Sequence, residues 1–395
     1  MSITATLPAR THRLARRRSA PVRRPIRVCY LIDQLRPAGT ETQLVALIRR
    51  LDRTRVVPYL GLLRGEGAIS RSLEPDCCPI LHLGVHSLCR PSTLVKARRL
   101  AQFLRRERID VLQVYFQDST YFGALVARLA GVPYLVRTRN NLGYWLTPLH
   151  RQLGRFCNRL TAATITNCEA CRDAVIADEG APAESVFVLE NGVDFDRFSA
   201  LPALAARPGP IHVGVVANLR PVKGLDVFVR AAATVAAHCP DVTFAVAGEG
   251  ESRADLERLA DELGLGKRLQ LPGVVRDVPA FLSRADVAVL CSHSEGMSNA
   301  LLEYMAAGRA IVATRVGAAE RLIEAGTHGL LVPPGDATAL AGAIERLAAD
   351  AGLRVRLGAA ARQRAEQHYS REAMVRRFEN FYEFLVRGGK PCAGC

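Results

Sequence analysis

No stretch of this 395-residue chain stays apolar for the roughly 18 residues that a membrane-spanning helix needs, so no spanning segment is expected. The Arg-rich start is not followed by an apolar h-region, which argues against a secretory signal peptide. Cys168 and Cys171 have x-x spacing, as do Cys392 and Cys395, but no second pair or His cluster stands near either, so zinc is not expected. The 11 cysteines are scattered, and Cys29 and Cys291 lie inside apolar runs. That pattern suits reduced thiols in a cytosolic protein better than a disulfide framework. Lysine is scarce, 4 of the 53 basic residues, so part of the basic excess reflects a bias toward arginine.

Hydrophobic content of 49% and charged content of 23% are those of a globular chain long enough for two domains with full cores. The net charge of +15 is unevenly placed. Residues 1–200 hold 30 Lys+Arg against 17 Asp+Glu, a net of +13, and the remainder is close to balance. The first half is therefore expected to face something anionic. Arg10, Arg13, Arg16, Arg17, Arg18, Arg23, Arg24 and Arg27 form a basic arm. Nucleic acid, anionic lipid and plain solvation all suit such an arm. Lipid is favoured, because polybasic segments gain about 1 kcal/mol per residue at an anionic surface.

Apolar runs at Arg27–Ile32, Val56–Leu63, Ile109–Tyr115, Tyr134–Arg137 and Ala163–Thr166 predict strands. Helical patterns at Thr40–Leu51, Thr93–Arg106 and Thr120–Ala130 separate several of them. After an Ala- and Pro-rich break near 200–210 the pattern restarts. Strands are expected at Ile211–Ala217, Val242–Ala247, Leu269–Leu271, Val287–Cys291, Ala310–Ala313 and Leu330–Val332, with a helix at Gly224–His238. Alternation of this kind implies two α/β halves with parallel sheets and a cleft between them. The expected division is a basic arm over 1–25, a first domain over 26–205, a second over 206–370, a helix over 371–388 packing back on the first domain, and a tail over 389–395.

The most informative segment runs from Ser294 to Met305. Glu295 and Glu303 flank seven residues in which a polar, Gly-containing loop becomes an apolar helix. Amides of Met297, Ser298 and Asn299 at the helix start suit an anion. Glu303, read as two turns into the helix, suits sugar hydroxyls. Arg220 and Lys223 sit three residues apart where the second half's first strand ends, a fork and a point charge suited to a diphosphate. Gly248-Glu249-Gly250 and Gly273 to Val278 end two further strands, and Val275 lies where its backbone would touch a base. All these segments fall at strand C-termini, where open parallel sheets bind ligands. For each alone, a solvated loop is an equally good account.

Taken in order, these segments resemble family 4 glycosyltransferases of the GT-B fold. Asn191-Gly192-Val193-Asp194, Arg220-x-x-Lys223-Gly224, Gly248-Glu249-Gly250, Gly273-x-x-x-Asp277-Val278, Glu295 through Glu303, Val316-Gly317 and Pro333-Pro334-Gly335-Asp336 carry the likeness. The resemblance implies α/β architecture: GT-B, two Rossmann-like parallel-sheet domains facing a central cleft. It also implies sugar transfer from a nucleotide-diphosphate sugar with retention of configuration. Arg220 and Lys223 would hold the diphosphate, Glu295 the transferred sugar, and Glu303 the ribose. Gly39, Gly248, Val275, Met297, Ser298 and Asn299 would complete donor binding. Thr40, Glu41, Arg139 and Asn140 are the acceptor-side candidates. No cofactor or metal is expected, with the two cations as counter-charge and the Asp-x-Asp motif read as absent. A UDP-sugar is the default donor, with a GDP-sugar as the other possibility. The acceptor would be a glycan or lipid-linked precursor of a cell-surface polysaccharide. The enzyme would be cytoplasmic and would meet the inner membrane face through its basic half, with no nucleic acid bound.

Three departures from the family pattern stand out. The segment Asp110 to Tyr115 lacks the usual histidines, and Ala318 stands where a second glycine is common. The later strand leads into Arg137 to Gly143 without the usual sugar-contacting His, leaving Arg139 or Asn140 as its substitute. A sugar-nucleotide epimerase of the same fold and a non-catalytic basic scaffold are the competing readings.

Overall fold

The chain's computed structural model describes residues 24–36, 38–73, 77–143, 146–206 and 209–388. Most of the basic arm, the 389–395 tail and its cysteine pair lie outside these. Arg24, counted in the arm, is not free: its guanidinium donates two hydrogen bonds to Asp110, at 2.8 and 2.9 Å.

Two compact units divide the chain. One holds residues up to Asn191 and the segment from Glu372 onward; the other is Gly192–Arg371. The division falls at Asn191/Gly192 rather than in the Ala- and Pro-rich stretch. The reason is local: Val193 bridges to Ser370, and Arg371 pairs with Asp194 at 2.7 Å, tying that stretch into the second unit.

The first unit carries a seven-stranded parallel sheet ordered β3-β2-β1-β4-β5-β6-β7. The strands are β1 (Ile26–Ile32), β2 (Val56–Leu62), β3 (Ile80–His82), β4 (Val111–Tyr115), β5 (Tyr134–Thr138), β6 (Ala163–Thr166) and β7 (Val186–Val188). Sequence reading missed β3 and β7, which are three residues each and too short to show a period. Residues of both pleats are buried, as expected of a sheet covered on both faces. On one face lie helices Gly39–Arg50 and Arg371–Arg387, with Phe378, Phe381, Tyr382 and Phe384 of the latter in the core. Arg55 fixes that helix through Glu379 at 2.6 Å and Glu383 at 2.8 Å. On the other face lie Ser92–Arg106, Gln117–Ala130 and Pro148–Leu160.

The second unit carries a six-stranded parallel sheet ordered β10-β9-β8-β11-β12-β13. Its strands are β8 (Ile211–Val216), β9 (Val242–Ala247), β10 (Leu269–Gly273), β11 (Val287–Leu290), β12 (Ala310–Thr314) and β13 (Leu330–Val332). Each sheet reverses its strand order once, between β1 and β4 and between β8 and β11. At such a reversal the crossovers leave in opposite directions, and the crevice beyond the strand ends is where open parallel sheets bind ligands.

Candidate active site

In the second unit the loops after β8 and β11 meet at the reversal point. Beyond β8, Pro221–Lys223 forms a 3₁₀ turn and Gly224 starts the helix Leu225–His238. Gly224 has φ +61°, and a Cβ there would collide with the carbonyl of Cys291, so the two loops approach as closely as a glycine permits. The backbone amide of His293 donates to the carbonyl of Val222 at 2.9 Å, and the Cys291 thiol donates to the carbonyl of Lys223 at 3.2 Å. This stapling delivers Lys223 Nζ to Glu295 Oε1 at 2.6 Å. Ser292 Oγ donates to the same oxygen at 2.7 Å. The Glu295 side chain is 12% exposed and that of Lys223 is 23% exposed, so both face an opening rather than the core. Arg220 is exposed, three residues before Lys223 in the chain.

The helix Asn299–Ala306 is capped by Ser298, whose hydroxyl accepts from the Leu301 amide at 3.4 Å. The Leu301 amide is thus satisfied within the chain. Met297 is buried under the loop. Glu303 is the fifth residue of this helix, a little over one turn in, which corrects the two turns read from sequence. It lies 3.7 Å from Arg197. Burial pushes its carboxyl above the ordinary range, while Arg197 and Arg371 pull the other way. Sequence reading missed Tyr304: fully buried, its hydroxyl accepts from the Val216 amide at 2.7 Å and locks this helix to the end of β8. A tyrosine within an apolar helical run gave no signal beyond core packing.

Neighbouring loops complete the cluster. Gly248 has φ +149° with no room for a Cβ against the Ala217 carbonyl, and its amide donates to the Gly273 carbonyl at 2.8 Å. Val275 follows β10 and is half-buried. Ala318 donates to the Gly296 carbonyl at 2.9 Å with φ −83°, ordinary backbone that needs no glycine, so that departure from the family pattern has no structural cost. One reading requires correction: Asp194-Phe195-Asp196 does spell Asp-x-Asp. Asp194 is engaged by Arg371 and Asp196 is exposed, and among the described residues no group of three or more metal-ligating side chains occurs.

The first unit treats its candidates differently. Gly39 and Thr40 open the helix Gly39–Arg50, but Glu41 is buried, its carboxylate accepting from the backbone of Glu41 and Arg36. Arg139 is 6% exposed and donates to Glu179 at 3.0 Å, while Arg137 pairs with the other oxygen of Glu179 at 2.5 Å. The Arg139 guanidinium is therefore committed inside the unit. Asn140 lines a small cavity with Thr40, Gln43, Tyr115, Thr138 and Asn191, and its buried Oδ1 has no partner among the described residues. Gln113, at the histidine-poor segment, is fully buried; it donates to Tyr115 and Thr138 hydroxyls, both at 2.8 Å, and accepts from Tyr382 at 2.6 Å. Phe116, just beyond β4, holds φ +62° and was not singled out by sequence.

Two Rossmann-like parallel-sheet units with this loop cluster define a GT-B fold. The glycosyl transferases group 1 family matches residues 210–350, and Glycosyltransferase Family 4 matches 37–197. D-inositol 3-phosphate glycosyltransferase of Pseudarthrobacter chlorophenolicus is 30% identical over 305 residues, covering 70% of this chain and 72% of the relative. UDP-Gal:alpha-D-GlcNAc-diphosphoundecaprenol alpha-1,3-galactosyltransferase of Escherichia coli is 27% identical over 294 residues, covering 69% and 76%. The fold of HepE from Anabaena, solved in complex with UDP, superposes with a TM-score of 0.77 at 23% identity, over 91% of this chain and 100% of that one. The chain belongs to the family 4 glycosyltransferases.

Proposed function

We propose that the second unit holds a UDP-sugar and that the enzyme transfers the sugar, with retention, to a glycan or lipid-linked acceptor in cell-surface polysaccharide synthesis. The observation that carries this reading is the Lys223–Glu295 contact at the strand reversal, with Arg220 exposed on the same loop and Glu303 on the adjoining helix. Arg220 and Lys223 face the diphosphate and offset charge on the departing nucleotide. Glu303 accepts hydrogen bonds from the ribose hydroxyls. Glu295, oriented by Lys223 and Ser292, contacts the sugar. The loop glycine Gly248 lets backbone approach the donor. Thr40 and Asn140 are the acceptor-side groups this reading keeps. Arg139 and Glu41 support the wall instead, since both are buried and engaged.

The acceptor oxygen attacks the anomeric carbon from the face on which UDP leaves, and a departing phosphate oxygen takes its proton. Positioning and charge stabilisation then supply most of the acceleration without a protein base. With two cations on the diphosphate, no metal is called for. The relatives named above support a sugar-nucleotide donor, one of them by a UDP-sugar and an undecaprenol-linked acceptor in its name. On this reading transfer runs at the cytoplasmic membrane face, where a lipid-linked acceptor is anchored.

Incubation with a UDP-sugar and a polyprenol-diphosphate sugar, followed by NMR of the anomeric proton, tests this. A product of the donor's own configuration is expected; an inverted product overturns the stereochemistry. A new sugar isomer formed without acceptor would establish the epimerase reading in its place.

A further inference from the structure

On one face of the first sheet, helices Ser92–Arg106, Gln117–Ala130 and Pro148–Leu160 pack side by side in that order. Their inward residues, among them Leu100, Phe103, Leu104, Phe122 and Cys157, fill the core. Their outward residues are not those of a solvated layer. Leu94 is 76% exposed, Leu129 69%, Leu149 61% and Phe156 49%. Ten large hydrophobics are exposed among the described residues, and seven of them belong to these three helices. The charge is as lopsided. The three helices hold nine Lys+Arg and a single acid, Asp118. The helices on the opposite face, Gly39–Arg50 and Arg371–Arg387, hold six Lys+Arg and four Glu. Among the described residues of the first half the basic excess is thus concentrated on one face, and it coincides with the exposed apolar side chains.

We infer that this three-helix face docks on an anionic lipid bilayer. Leucine and phenylalanine side chains enter the boundary between headgroups and acyl chains, and the arginines alongside them meet lipid phosphates. Exposed apolar area marks an interaction surface, and charge of nearly one sign, here positive, selects an anionic partner. The apolar groups are spread over three helices rather than gathered in a groove, which suits a planar partner better than a peptide. Only the purpose of docking, access to a lipid-linked acceptor, rests on the proposed function.

The full chain is centrifuged with vesicles of phosphatidylcholine mixed with phosphatidylglycerol, and with vesicles of phosphatidylcholine alone. Binding to the mixed vesicles alone is expected. Leu149→Ser/Leu153→Ser/Phe156→Ser should weaken it about tenfold or more. Arg98→Gln/Arg155→Gln/Arg159→Gln should weaken it about fivefold per arginine. UDP affinity and the melting temperature should stay as in the parent, since these side chains lie outside the core. The inference is overturned if both variants sediment like the parent, which would place binding elsewhere, or if neutral vesicles bind equally well. It is also overturned if the apolar variant converts a parent dimer to a monomer without lipid, because the face would then belong to a second copy. Vesicle binding with no transfer to a lipid-linked acceptor leaves the docking face standing and removes the acceptor reading.

Discussion

The two units end their strands in opposite ways. In the second, the charged side chains beyond β8 and β11 stay accessible: Arg220 is exposed, and Lys223 and Glu295 meet at 2.6 Å facing an opening. In the first, charged groups at strand ends turn inward: Arg137 and Arg139 share Glu179, which is 1% exposed. Gln113, Tyr115, Thr138 and Tyr382 form a closed hydrogen-bonded set. Similar sheets therefore place their polar residues differently, one leaving them accessible beyond its strand ends and the other closing them into its wall.

Glu179→Gln should break this contrast most severely. It leaves two buried guanidinium groups without a full counter-charge, at about 3–5 kcal/mol of stability. Denaturant unfolding checks it, and UDP affinity of the folded fraction should be unchanged. A loss below 1 kcal/mol would mean that the pair is solvated.

Tyr304→Phe should cost about 1–3 kcal/mol by leaving the Val216 amide unsatisfied. Because Tyr304 holds the Glu303 helix to β8, donor affinity should fall with stability, whereas Glu179→Gln separates the two. A fall in thermal stability with donor affinity intact would show that the helix is held by packing alone.

The smallest effect concerns Glu303. Burial raises its folded-state pKa, so its contribution to stability is fully present below the ordinary glutamate range and is lost as pH rises through the raised value. Glu303→Gln should therefore gain melting temperature relative to the parent above that window and none below it, while losing donor binding. A difference that does not vary with pH would remove the burial account.

Much of this was legible in the sequence of the second unit's strand ends and little in the first's, for a physical reason. Glycines that must pack against carbonyls, such as Gly224 and Gly248, and cations spaced to flank a turn leave fixed signatures within a few residues. The Lys223–Glu295 contact joins positions 72 apart, yet both lie at strand ends that periodicity locates. The ion pairs of Arg137 and Arg139 depend on Glu179, and the closure around Gln113 depends on Tyr382, 269 residues away. No local pattern announces such partners, so Arg139 read as an acceptor group although it is committed to the wall. Strands β3 and β7 escaped for want of length, and Tyr304 because its role is one hydrogen bond at the end of another strand.

The central claim, that the second unit's accessible charges serve a nucleotide, is tested most directly by UDP calorimetry on Lys223→Ala. UDP affinity should fall about tenfold or more, as loss of a charge-assisted contact requires, with ligand-free melting close to the parent's. Unchanged UDP affinity would contradict the account.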